Sequence, residues 1–143
     1  MKKFNIILLI IWLLTIFMFS NDKAEVSSAK SDGISSTICN IIDPNCSEST
    51  LDMIIFIVRK TAHFLEYLIL GILVINVIKD YKSLELKYLI TGVVICMLYS
   101  ISDELHQLFI SGRSCQIRDV LIDTLGSITG IYLYQLIYKR KTK

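Results

Sequence analysis

With 143 residues, 53% hydrophobic side chains and a mean hydropathy of +0.58, the chain is more apolar than an ordinary soluble domain, and a bilayer is its natural solvent. A formal net charge of +2, with no basic block interleaved with aromatics, argues against a nucleic-acid partner. One Pro and six Gly leave little turn material for a β-barrel, so the expected fold class is all-α, a polytopic membrane bundle of four transmembrane helices.

The first element is Phe4–Phe19, FNIILLIIWLLTIFMF, which follows Lys2 and Lys3 and sits near the lower length limit of about 17 residues for a span. Its charged start and apolar centre also suit a signal peptide. The following SNDKAEV lacks a small-x-small cleavage site, which favours an uncleaved anchor within 1–20. Residues 21–50 are rich in Ser, Asp and Glu without a hydrophobic period, and are expected to be an extracytoplasmic loop acting as a tether. That loop holds Cys39 and Cys46, whose spacing, with Asp43-Pro44-Asn45 between them, allows a turn and a disulfide in an oxidising compartment. Residues 51–143 supply the core with three further spans. LDMIIFIV at 51–58 is too short to cross alone and either lies in the interface or extends the next helix. The second span is expected near Thr61–Ile78, the third from Tyr88 into the polar stretch SDELHQ, and the fourth over Val120–Tyr138. Cys96 falls mid-membrane, where a thiol serves as a small apolar filler.

Orientation follows from basic residues in the short flanks, which stay on the cytoplasmic side. With the amino terminus inside, nine of the fifteen Lys and Arg residues are cytoplasmic: Lys2, Lys3, Lys79, Lys82, Lys87, Lys139, Arg140, Lys141 and Lys143. A multi-pass membrane protein with both termini on the cytoplasmic side is the expected topology. It places Arg59, Lys60, Arg113 and Arg118 at the outer ends of helices, beside acids and histidines.

Those outer ends carry the chemistry. Arg59, His63 and Glu66 fall at i, i+4 and i+7, one stripe of a helix. Tyr99, Asp103, His106 and Gln107 share a face of the third span, while Glu104 points roughly 100° away. Asp119 and Asp123 open the fourth span and are followed on the same stripe by Gly126 and Gly130, a GxxxG spacing suited to close helix approach. Ionised groups in hydrocarbon need partners, and each one judged singly is as well explained as a staple between helices. Their joint placement at one level points instead to a water-accessible functional pocket.

RKTAHFLEYLILGIL (59–73) and SISDELHQLFISGRSCQIRDVLIDTLGSITG (100–130) closely resemble the VanZ-like family of bacterial membrane proteins. The shared pattern is Arg-Lys-x-x-His with an acid before Tyr, then Ser-Asp-Glu-x-His-Gln, an Arg, and Asp-Val before a Gly-rich helix. A looser similarity covers FSNDKAEVSSAKSDGIS (19–35). Asp123 stands where many relatives carry Asn. The family is named for a protein that lowers bacterial susceptibility to the glycopeptide teicoplanin, so the resemblance implies an envelope role. By matching position it implies His63, Glu66, Asp103, His106 and Asp119 as catalytic candidates, with Arg59, Tyr67, Glu104, Gln107, Arg113 and Asp123 as ligand-binding residues.

Two function classes remain in view. One is a binding protein whose outer pocket holds a lipid head group, a lipid-linked cell-wall intermediate or a glycopeptide. The other is a membrane-embedded hydrolase or transferase, in which the His63–Glu66 and Asp103–His106 spacings offer N and O ligands to a divalent metal, or a carboxylate orients a histidine as general base. No nucleophile elbow, HExxH or phosphate-cradling Gly loop occurs, and the sequence leaves any cofactor open. Proton or solute transport is the weakest reading, because the polar layer hugs one face and only Asn76, Thr91 and Ser100 interrupt the inner regions.

Overall fold

A computed structural model describes residues 2–22, 24–43 and 47–141. Five helices follow in order: α1 (Lys2–Ser20), α2 (Ala24–Ile42), α3 (Glu48–Lys79), α4 (Leu86–Gln107) and α5 (Ile117–Lys141), with no strand among the described residues. By length and composition, α1, α3, α4 and α5 can each cross a membrane, which gives the expected four-span bundle. Their outward faces carry exposed Ile7 and Leu14 of α1, Ile69 of α3, Leu98 of α4 and Leu133 of α5. In water so much apolar surface would drive aggregation. Against acyl chains it is ordinary solvent contact.

The helix α3 absorbs LDMIIFIV, because Arg59 and Lys60 interrupt the hydropathy but not the helical phase. Ser47 caps it, its hydroxyl accepting the Thr50 N–H at 3.2 Å. Glu48 in the first turn and Lys79 in the last complement the helix dipole. At about 1.5 Å per residue, Lys60 to Lys79 rises about 28 Å, close to the roughly 30 Å hydrocarbon thickness. The turns before Lys60 therefore project beyond the apolar layer.

The tether expected after the first span is a helix instead. Along α2, Ser31, Ser35 and Cys39 recur every fourth residue and are buried, and the helix packs against α3. Small side chains let the two backbones approach without any apolar period, which is why hydropathy gave no sign of a helix. Cys39 is disulfide-bonded; Cys46, the mate that the spacing suggests, lies outside the described residues.

Helix ends sort into two levels. At one, Asn5 Nδ2 donates to Asp80 Oδ2 at 2.7 Å, Lys2 lies over the Tyr81 ring and Lys79 over Tyr138, which brings both ends of the described chain together. At the other, the end of α1 meets the α4–α5 turn, where Gly112 has φ 78°, a left-handed conformation that favours glycine. Between the levels, Ile16, Tyr67, Leu70, Val74 and Cys96 form the core. The Trp12 indole N–H donates to the Glu66 carbonyl at 3.0 Å and the Tyr99 hydroxyl to the Leu13 carbonyl at 2.7 Å, fastening α1 to α3 and α4.

The tightest packing joins α3 and α5. A Cβ on Gly126 would run into the Phe64 carbonyl, one on Gly130 into the Leu68 carbonyl, and one on Gly71 into the Ser127 carbonyl. The GxxxG expectation is met, since these glycines let two backbones touch in a medium that offers no hydrophobic drive for association. Gly126→Ala and Gly130→Ala should each lower the melting temperature of the purified protein in detergent, at a cost of about 1–3 kcal/mol or more from overpacking. Gly33→Ala, where nothing lies within 4 Å of a new Cβ, should be neutral or mildly stabilising.

Candidate functional site

Two cavities open at the level where α1 ends and α5 begins. One, of about 220 Å³, lies among α1, α2, α3 and α4 and is lined by Arg59, His63, Glu66, Asp103 and Arg113, with Ile16 and Ser20 of α1 and Ser31 and Ile34 of α2. The other, of about 330 Å³, lies between α3 and the α4–α5 turn and is lined by Asp52, Phe56, Arg59, Lys60, His63, Gln107, Arg113, Arg118 and Asp119. Arg59, His63 and Arg113 line both and form the partition between them.

The α3 stripe accounts for half of this arrangement. Arg59, His63 and Glu66 line the smaller cavity together, and Glu66 stands about 10 Å deeper than Arg59 along the helix. From α5, Asp119 takes the Lys60 ammonium, and one turn deeper the fully buried Asp123 lies with Oδ1 3.7 Å from His63 Nδ1. Its other oxygen, Oδ2, accepts the Ser100 hydroxyl at 2.7 Å. Polar pairs thus occupy the outer two turns of the α3–α5 contact, and the glycines follow below.

The α4 end behaves differently from the single face expected of it. Gln107 Nε2 donates to Asp103 Oδ2 at 3.3 Å, and Gln107 Oε1 accepts from Arg113 at 3.2 Å. Arg113 also donates through Nε to the Asp22 carbonyl at 2.9 Å and through Nη2 to the Phe19 carbonyl at 3.2 Å, so its fork ties the end of α1 to the end of α4. Burial pulls its guanidinium below the usual arginine value, yet it remains a cation. Glu104 turns away from both cavities and accepts the Gln116 N–H at 2.8 Å, placing a carboxylate at the start of α5 where free N–H groups and the helix dipole favour it. His106 is drawn toward α1, its ring centroid 4.8 Å from that of Phe17. Tyr67 is buried beneath the site, 6.4 Å from Tyr99 between ring centroids.

Of the residues singled out from the sequence, Arg59, His63, Glu66, Asp103, Gln107, Arg113 and Asp119 line the cavities, and Asp123 backs His63. Glu104, His106 and Tyr67 do not line them. Asp103 and His106 diverge, and among the described residues no group of three His, Cys, Asp or Glu side chains could hold a metal ion. Lys60, Arg118, Ser100 and the α2 residues Ser31 and Ile34 join the site in addition. The two cations belonged to the outer basic cluster already noted in the sequence, whereas the α2 contribution was hidden by the missing hydropathic period.

The electrostatics of the larger cavity are one-sided. Four cations, Arg59, Lys60, Arg113 and Arg118, face two acids, Asp52 and Asp119, and Asp119 is already paired with Lys60. Arg59, Arg113 and Arg118 have no carboxylate ion pair among the described residues. Arg118 instead lies over the Phe56 ring at 4.9 Å. Phe109 and Ile117 are 85% and 80% exposed in the α4–α5 segment, so the charged rim borders surface suited to lipid.

Four apolar spans with a cationic and acidic crevice at one end define a polytopic helical membrane protein. The chain belongs to the VanZ/LLP1 family, which matches residues 4–138. No curated protein and no solved structure matches it.

Arg113→Lys tests the fork, because one ammonium cannot span the Phe19 and Asp22 carbonyls and Gln107 together. A loss of about 1–3 kcal/mol is expected from the charge-assisted bonds. A cysteine placed at Ser20 should become more reactive toward thiol reagents as the end of α1 loosens.

Proposed function

We propose that the protein is a VanZ-like envelope protein whose crevice faces away from the cytoplasm and binds the anionic head group of a lipid or lipid-linked cell-wall intermediate, thereby modulating glycopeptide susceptibility or envelope physiology. The observation that carries this reading is the cationic excess of the larger cavity, with three arginines that have no carboxylate ion pair among the described residues, beside exposed aromatic and aliphatic side chains. Planar guanidinium groups match phosphate oxygens with paired hydrogen bonds, and a site at the membrane edge meets phosphate at head-group depth. A cavity of about 330 Å³ suits a compact charged group, with the attached chains left in the bilayer. The outward orientation rests on the distribution of Lys and Arg, whose majority gathers at the opposite end of the bundle.

The chain carries its own orientation probe. Cys115 is free and exposed in the α4–α5 turn, Cys96 is free but buried, and Cys39 is disulfide-bonded. A membrane-impermeant maleimide should therefore label intact cells at Cys115, and Cys115→Ser should abolish the signal. Labelling only after permeabilisation would place the crevice in the cytoplasm and remove this reading. For the ligand, Arg59→Ala and Arg118→Ala in nanodiscs should each weaken binding of phosphatidic acid or an isoprenoid diphosphate roughly tenfold, given about 1.5–3 kcal/mol per charge-assisted bond. A zwitterionic phosphatidylcholine control should change little. Equal binding by the variants and the native protein would contradict the head-group reading.

A further inference from the structure

The buried pair His63 and Asp123 poses an accounting problem. Asp123 is fully buried, Oδ2 accepts from Ser100, and Oδ1 has no hydrogen-bond partner; His63 Nδ1 is buried and also has none. These two orphaned atoms face each other at 3.7 Å. An unmade hydrogen bond at a buried polar atom is costly, and each atom is the obvious remedy for the other. With Asp123 ionised its oxygen can only accept, and the imidazole then brings its proton to Nδ1. A closure of less than about 1 Å then makes a normal bond. The hydrogen bond on one ring nitrogen decides the state of the other. Nε2 is consequently the atom with the free lone pair, on the ring edge opposite Asp123, and His63 lines both cavities.

We infer that His63 is a general base acting on a phosphate-bearing lipid head group held in the larger cavity, with Asp123 as the residue that positions its ring. This rests on the head-group reading above and adds a reaction to it, hydrolysis of a lipid phosphate monoester or diphosphate. Nε2 takes a proton from water as the water oxygen bonds to phosphorus. The P–O bond to the lipid alcohol, or to the neighbouring phosphate of a diphosphate, breaks with its electron pair on the leaving oxygen. The imidazolium then returns the proton to that oxygen, and nothing is oxidised or reduced. Arg59 and Arg113 stand beside His63 in the wall of both cavities, where a guanidinium can offset the charge that develops on the phosphoryl oxygens. Asp123 stabilises the transient imidazolium. Ser100 holds Asp123 and is itself fully buried, so water is the nucleophile.

The test uses the full chain in nanodiscs containing either phosphatidic acid or an isoprenoid diphosphate, with inorganic phosphate release and lipid binding measured side by side. Release above the protein-free rate is expected with at least one probe, and which probe reacts distinguishes a monoester from a diphosphate substrate. His63→Gln should keep binding and lower the rate about a hundredfold or more, as loss of a general base does. Asp123→Asn should lower kcat with little change in KM, because the amide oxygen still accepts the Nδ1 proton but cannot stabilise the imidazolium. In the native protein, nitrogen NMR of labelled histidine should find the His63 proton on Nδ1. Binding without phosphate release, wild-type turnover in His63→Gln, or a proton on Nε2 would each overturn the inference while leaving the head-group site standing. Absence of binding to either lipid would overturn both.

Discussion

Everything at the polar end of this protein depends on how closely α3 and α5 approach. In a bilayer the lipid tails are as apolar as any leucine, so two spans gain nothing from hiding apolar surface and must be held by close packing and polar contacts. Gly126 and Gly130 bring α5 onto the α3 backbone at Phe64 and Leu68, and Gly71 returns the contact at Ser127. That seam fixes the register of the turns above it, so that Lys60 meets Asp119 and His63 faces Asp123. A side chain larger than hydrogen in the seam would part the helices and pull apart the charges that line the crevice.

The polar groups occupy a depth where their cost is bearable. An ionised group at the bilayer centre is expensive, but within two or three turns of the edge it has water, head groups and partners from neighbouring helices. The chain supplies those partners unevenly. Lys60 is neutralised by Asp119, Glu104 is spent on the start of α5, and the Asp103–Gln107–Arg113 chain is tied to the carbonyls that end α1. Among the described residues Arg59 and Arg118 have no such carboxylate, and His63 lines both cavities. A bundle that needed polar contacts only as staples would have little use for arginines left without acids at a rim open to lipid.

Much of the architecture was legible in the sequence because spans announce themselves as apolar runs, and helical periodicity then sorts their polar ends. The Arg59, His63, Glu66 stripe was readable for that reason, as were Asp119 and Asp123 above the glycines. Three features escaped. Helix α2 packs through Ser31, Ser35 and Cys39, a stripe of small side chains rather than apolar ones, so a search for hydrophobic period passes over it. His106 was expected beside Asp103, but positions three apart differ by about 60° around a helix, enough for the imidazole to reach Phe17 of α1 while Asp103 faces the cavity. The pairing of His63 with Asp123 was likewise out of reach, since the order of side chains along each helix does not reveal the rotation of one helix against another.

A double-mutant cycle across the α3–α5 seam gives the most direct measurement of this arrangement. Unfolding free energies of Lys60→Ala, Asp119→Ala and the double variant, in one detergent, report whether the two side chains feel each other. Convergence of the spans on one crevice predicts a coupling of about 1 kcal/mol or more. Additivity within about 0.3 kcal/mol would mean that α3 and α5 do not bring these charges together, and the crevice described here would not exist.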